Sequence, residues 1–426
     1  MIRGLNRDFN VFWLGQTTSE LGNFVTIIAI PFAAVTTLHA GVFDVGLLTA
    51  LGFAGALLVG LPAGVVLDRR RKRPVMIAMD LARIAILVSV PVAAATGNLT
   101  IVQLYVVAFT HSVCSIFFNV ANDTHLPSLV EQSELVEANA KLQATTSGAA
   151  IAAPPLAGGV VQALTAPYAL AVDAATFLAS ALCLRSIRRP EPEPEAAPGE
   201  AERPGLFREI REGLRFVLRD PILRLNLAST GTLNFFSAAF DAVVIVFLVR
   251  ELGLSALSVG VLFVFGAIGA LIAAALATRI TERIGTGRLV WVSLLVTGPF
   301  GLLIPLAQSG PRLALFAAGE FMTKAGVILY GISNGTFATV YTPPRLLARM
   351  NASRRVLAQT WLALGALAGG AIGAALGPRD ALWLATGGAA LAGVWPLLGP
   401  LRTWVGEPRA AEQPLPAPAT AEPEHA

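Results

Sequence analysis

Two stretches decide how this chain is built: VGLLTALGFAGAL at residues 45–57 and VGVLFVFGAIGAL at residues 259–271. Val, Gly, Leu, Gly, Gly, Ala and Leu recur in the same order at an offset of 214. Carried forward, that offset sets Asp68-Arg69 against Glu282-Arg283. Arg7-Asp8 and Arg219-Asp220 match at 212, as do Leu135 to Asn139 and Leu347 to Asn351. One match means little, because small apolar alphabets repeat by chance. Four in near-constant register argue for duplication. Both copies run the same way, which predicts two halves related by an axis along a membrane normal.

The membrane follows from composition. Of 426 residues, 55% are hydrophobic and only 14% are charged, with a mean hydropathy of +0.67. Soluble domains carry about 25% charged residues, so this chain cannot cover its surface with polar groups. Its net charge of +4 does not imply nucleic-acid binding, which needs basic residues on a folded polar face. Cys114 and Cys183 lie in apolar stretches, and His39, His111, His125 and His425 are scattered. Neither a disulfide framework, a metal site nor a cofactor is expected.

A spanning helix needs about 20 mainly apolar residues. Twelve stretches qualify, from 9–37 to 380–400, and the first is too long for a signal peptide. Basic residues orient them. Only Arg250, Arg312 and Arg379 fall in loops on one side, and Arg83 and Lys324 fall inside spans. The other Lys and Arg residues sit at the N-terminus, in the opposite loops or in the tail. The positive-inside rule then places both termini in the cytoplasm, with the spans in the cell (inner) membrane.

The expected organisation is a six-helix bundle over 1–186, a cytoplasmic linker over 187–220, a second six-helix bundle over 221–404 and a disordered tail over 405–426. Within the linker, PEPEPEAAPGEAERP (190–204) is too polar to fold. After it, Phe207, Ile210, Leu214 and Val217 recur at helical spacing opposite Arg208, Arg211, Arg215 and Arg219. That pattern predicts an amphipathic helix on the cytoplasmic leaflet.

Over about residues 5–403 the chain resembles the major facilitator superfamily. Gly64, Asp68 and Arg69, followed by Arg73, are similar to its Gly-x-x-x-Asp-Arg-x-Gly-Arg-Lys/Arg loop, with Arg71 in place of the second glycine. APPLAG (153–158), with Pro154, Pro155 and Gly158, is similar to its Gly-Pro-x-x-Gly-Gly antiporter signature, with Ala153 and Ala157 in place of two glycines. LPSLVEQSELVEANAKLQ (126–143), REGLRFVLRDP (211–221) and RLLARMNASRR (345–355) resemble the branch of macrolide-type and siderophore exporters. The resemblance implies an all-α fold of two pseudo-symmetric six-helix bundles, acting as a transporter rather than an enzyme. It also implies that the 64–73 loop latches the two bundles on the cytoplasmic side. Asp68 would accept hydrogen bonds from the start of span eleven, near Met350 and Asn351, while Arg69 or Arg73 holds Asp123.

No lysine stands in a P-loop: the only three follow Arg71, Ala140 and Thr323. Transport is therefore expected to be secondary. Ionisable groups at membrane depth are costly, and each is a functional candidate by default. Glu20, Asp241 and Glu320 are the proton-coupling candidates, although Lys324 four residues after Glu320 can neutralise it. Asp173 reads as structural, and Asp80 with Arg83 as a structural pair near the cytoplasmic gate. Asn23, Phe24, Phe117, Asn119, Asn234, Phe235, Phe236, Tyr330 and Asn334 are candidate walls of a cavity for a bulky amphipathic compound. Gly365, Gly369, Gly373 and Gly377 form a one-face ladder along which helices could rock. The function expected is a proton-coupled, monomeric exporter of a hydrophobic small molecule. Import or facilitated uptake of a nutrient is the alternative, and a non-transporting membrane sensor a further one.

Overall fold

The computed structural model describes residues 5–68, 70–191 and 206–399, with the Asp68 side chain outside the description. The 405–426 tail, Arg69, most of the Pro/Glu linker and the side chains of Phe207, Arg208 and Ile210 lie outside the described residues. Every element within them is helical.

The first half comprises α1 (Arg7–Phe32), α2 (Val42–Asp68), α3 (Lys72–Ala95), α4 (Ile101–Leu129), α5 (Leu135–Leu164) and α6 (Ala166–Ser186). After α7 (Leu206–Arg219) come α8 (Pro221–Val246), α9 (Ala256–Ile284), α10 (Thr286–Thr297), α11 (Leu313–Tyr341), α12 (Pro344–Leu376) and α13 (Pro378–Ala390). Eleven of these helices, counted with their π or 3-10 extensions, are long and apolar enough to cross a membrane. The twelfth is broken: α13 passes through a 3-10 turn (Leu391–Gly393) into α14 (Val394–Leu397). Pro396 explains the break. It has no N–H for the Ala392 carbonyl, and Ser229 Oγ of α8 takes that carbonyl instead at 2.8 Å.

The duplication is visible in backbone detail. Helix α1 ends in a five-residue π turn, Ala33–Thr37, and α8 in another, Phe247–Glu251, 214 residues on. In each turn an N–H reaches back five residues, Leu38 to Ala33 at 3.1 Å and Leu252 to Phe247 at 3.2 Å. The next residue has positive φ in both copies, +51° at His39 and +65° at Gly253. Helix starts correct the register at the beginning of the halves. Asn6 caps α1 and Asp220 caps α8, so the offset there is 214 rather than the 212 of the Arg-Asp pairs. At the ends of α5 and α12 the offset is 212, where Thr165 and Gly377 both take positive φ.

The halves meet along two seams, α2 on α12 and α5 on α9, which the repeat maps onto each other. The two ends of the molecule differ. At the end opposite the basic loops, here the far end, backbones touch. A methyl on Gly46 would lie 2.5 Å from Gly370 Cα, and one on Gly260 would lie 2.2 Å from the Pro154 carbonyl oxygen. Toward the basic end, a methyl on Gly60, Gly64, Gly148 or Gly335 would meet nothing within 4 Å. Among the described side chains, the hydrogen bonds joining the halves are also at the far end: Arg250 Nη2 to the Ala40 carbonyl at 2.6 Å, and Leu257 N to Gln162 Oε1 at 3.4 Å.

Candidate functional site

Helix α1 packs on α5 and α6. Gly15, Gly22 and Thr26 are buried in that contact, and Glu20, Asn23 and Phe24 are left half-buried on a neighbouring face. One turn further, Ile27 is 61% exposed. The 214 offset carries this face onto α8, where Asn234 stands for Glu20 and Asp241 for Ile27. Asn234 is half-buried and Asp241 exposed. The two carboxylates therefore sit on corresponding faces at different depths, Glu20 toward the basic end and Asp241 toward the far end.

Asp241 does not stand alone. Its charge interacts with Lys324 of α11, and Lys324 in turn interacts with Glu320. Glu320 is 2% exposed. A cavity of about 60 Å³ is lined by Glu320, Lys324, Thr297, Thr323, Ser237 and Phe236, among others. Gly266 of α9 permits this arrangement, since a methyl there would lie 2.8 Å from Glu320 Oε2. Glu320 and Lys324 both line this cavity, and the charge of Asp241 acts on Lys324 from beside it.

The aromatic and amide candidates divide. Phe235 is half-buried and meets Phe236 and Trp361 edge-on, with ring centroids 5.1 and 6.4 Å apart. Asn119 is exposed, and Phe117 packs partly into the first half's core. Phe236 lies over Gly388 inside the second half, where a methyl would come within 2.3 Å of its ring. Tyr330 and Asn334 are buried, bonded to each other at 3.2 Å and to Thr230 at 2.7 and 3.2 Å. Tyr330 and Asn334 belong to the interior of the second half, not to an open wall, whereas Phe236 lines the small cavity beside Glu320. Helical spacing cannot show which neighbour covers a face.

The gate expectations are corrected in three places. Asp80 and Arg83 are 0% and 2% exposed within the first half, with Arg83 between the rings of Phe118 and Phe177. They are interior residues, not gate residues. Arg73 donates to the Arg185 carbonyl at 2.9 Å rather than holding Asp123, which is exposed. Met350 is fully buried in the second half, against Val217 and Tyr341. The free N–H groups at the start of α3 take a carboxylate that sequence reading missed: Glu191 accepts from Lys72 N, and from Arg73 N at 3.2 Å. Asp68 and Arg69 lie outside the described side chains.

Pro154, Pro155 and Gly158 sit on the far-end seam. The Pro154 carbonyl touches Gly260, and a methyl on Gly158 would lie 2.3 Å from the Ala256 carbonyl oxygen. The glycine ladder behaves differently. Gly365 and Gly369 press α12 onto α8 within the second half, and Gly377 ends the helix at φ +97°. Only Gly373, beside Val42, and the off-ladder Gly370 reach across.

The family model for the Major Facilitator Superfamily matches residues 12–354. The chain belongs to the Major Facilitator Superfamily. This transporter is 25% identical over 338 residues to the uncharacterized MFS-type transporter YfiS of Bacillus subtilis, covering 78% of this chain and 76% of that one. It is 25% identical to macrolide efflux protein A of Streptococcus pyogenes, over 54% of this chain and 55% of that one. It is 28% identical to the multidrug efflux pump Tap of Mycolicibacterium fortuitum, over 50% and 54%. Among solved structures, the nucleoside transporter NupG superposes with a TM-score of 0.75 at 12% identity, covering 92% of this transporter and 99% of NupG. A bacterial homologue of the iron transporter ferroportin, in an inward-facing state, superposes at 0.72 and 15% identity, over 93% and 99%. At these identities the structures establish the fold alone; membership of the family makes this a multi-pass membrane transporter.

Proposed function

We propose that this transporter is a proton-coupled exporter of a hydrophobic or amphipathic small molecule, working as a monomer in the cell membrane by alternating access. The contrast between the two ends carries the reading. The seams close backbone to backbone at the far end, while Gly60, Gly64 and Gly148 of the same seam helices meet nothing toward the basic end. With the basic loops in the cytoplasm, that is an inward-open arrangement with both termini inside. Glu20, Asn23, Phe24, Asn234 and Phe235 remain partly accessible on the facing helices and offer aromatic and amide contacts with a single acid. Relatives named as macrolide and multidrug efflux proteins support export of such compounds.

Glu20 and Asp241 would carry the proton, because each is an acid within an apolar helix that packing leaves at least partly exposed. The Glu320–Lys324 pair then tunes Asp241. Accumulation of fluorescent cationic and macrolide-type drugs in cells with and without the protein tests the reading. Lower accumulation, abolished by a protonophore, is the expected result. Accumulation that rises with the protein, or ignores the protonophore, turns the assignment to uptake or facilitation.

A further inference from the structure

The first half contains a charged cluster that the transport reading leaves unused. Asp80 and Arg83 of α3 pair in its interior within charge-interaction range of Asp173 of α6, with exposures of 0%, 2% and 0%. The Arg83 guanidinium carbon lies 4.4 Å from the Phe118 ring centroid and 4.0 Å from that of Phe177. Its Nη2 donates to Asp80 Oδ1, and its Nε has no partner. Asp173 takes the Thr26 hydroxyl from α1 and the Thr176 hydroxyl at 2.9 Å. Asp80 Oδ2 has no donor, and the neighbouring Ser180 Oγ is equally unpartnered. The other titratable groups around the cluster are His111 and Cys114 of α4.

Charge counting decides what this arrangement does. Two carboxylates and one guanidinium leave one uncompensated negative charge when all are ionised. In a closed interior such an unpaired charge is strongly disfavoured even after relaxation. A single proton removes it. On Asp80 Oδ2 that proton also donates to Ser180 Oγ, so two orphaned atoms are satisfied together.

We propose that Asp80, Arg83 and Asp173 form a proton-binding site of the first half, holding one exchangeable proton shared between the two aspartates. When the O–H bond of Asp80 breaks, an O–H bond forms on Asp173, and Arg83 pairs the newly ionised Asp80. Thr26, bonded to Asp173, links the site to α1, where Asn23 and Glu20 follow one and two turns along. A role for this proton in transport rests on the proton-coupled reading above; its occupancy of the site does not.

Infrared difference spectra of the purified full-length protein in lipid nanodiscs, between neutral and alkaline pH, test the site. The wild type should show a protonated-carboxyl band that is lost at high pH. Asp80→Asn and Asp173→Asn should each lose the band and keep the wild-type melting temperature, since each leaves one acid to one guanidinium. Glu20→Gln should retain the band. A band that survives both aspartate substitutions overturns the proposal, as does a lowered melting temperature in both. Efflux that ignores the proton gradient while the band behaves as stated removes the coupling reading and leaves the site. A missing band with proton-driven efflux intact removes the site and leaves the coupling.

Discussion

Arg250, in the π turn that ends α8, donates through Nη2 to the Ala40 carbonyl of the opposite half at 2.6 Å. It is one of only three basic residues in the loops of the far side. A charge-assisted bond of this kind contributes about 1.5–3 kcal/mol. Arg250→Ala is therefore expected to weaken far-end closure by roughly tenfold or more. Single cysteines placed on the far-end loops should label faster in this variant. Unchanged labelling would show that the backbone seams alone hold the closure.

Those seams lead to the opposite test. A methyl on Gly46 meets the Gly370 backbone at 2.5 Å, and a backbone cannot rotate away as a side chain can. Overpacking of this sort costs about 1–3 kcal/mol. Gly46→Ala should shift the population away from the far-end-closed form and slow transport, with insertion unaffected. Gly60→Ala, where the added methyl meets nothing, is the control and should transport at the wild-type rate. Equal rates in the two variants would contradict the seam as the closing element.

Asp220 performs two tasks at the start of α8. Its Oδ1 accepts from Ile222 N and Leu223 N, both at 2.9 Å, and its Oδ2 accepts from the Tyr341 hydroxyl at 3.0 Å. Loss of an N-cap costs about 0.5–2 kcal/mol, and loss of the Tyr341 hydrogen bond adds to that. Asp220→Ala should lower the melting temperature by several degrees, and Asp220→Asn by less, because the amide still caps the helix. Tyr341→Phe combined with Asp220→Ala should add little. A fully additive pair would rule out the Tyr341 contribution.

Among the described side chains, two contacts of unequal weight help to dock α7. Arg349 pairs with Glu212 at 2.6 Å, but both side chains are about a third exposed, which limits the pair to roughly 0.2–1 kcal/mol. Val217 is 2% exposed beside Met350 and Tyr341. Burying an aspartate there forfeits at least ~2 kcal/mol of apolar burial before any charge penalty. Val217→Asp should release α7, read as faster amide exchange over 211–219, whereas Glu212→Gln should leave exchange nearly unchanged. The reverse order would make the ion pair the anchor.

The amino-acid sequence alone determined the all-helical membrane character of the chain and its internal repeat, and eleven of the twelve expected stretches stand as long apolar helices. Each follows from short-range rules, such as runs of apolar residues, basic loops and the 214-residue echo of VGLLTALGFAGAL. It also marked Glu20, Asp241 and Glu320, because an acid in an apolar run stands out whatever surrounds it. Partners were another matter. Asp80 and Arg83 read as a gate pair because spacing on one helix says nothing about the rings of Phe118 and Phe177, which arrive from α4 and α6. Tyr330 and Asn334 read as cavity wall until Thr230 of α8 covered them. Gly370 escaped the glycine ladder because its neighbour Gly46 lies more than three hundred residues away. Helix formation depends on residues within a few turns, so it is written locally. Burial, pairing and closure depend on which distant surfaces meet, and only the packed halves bring those surfaces together.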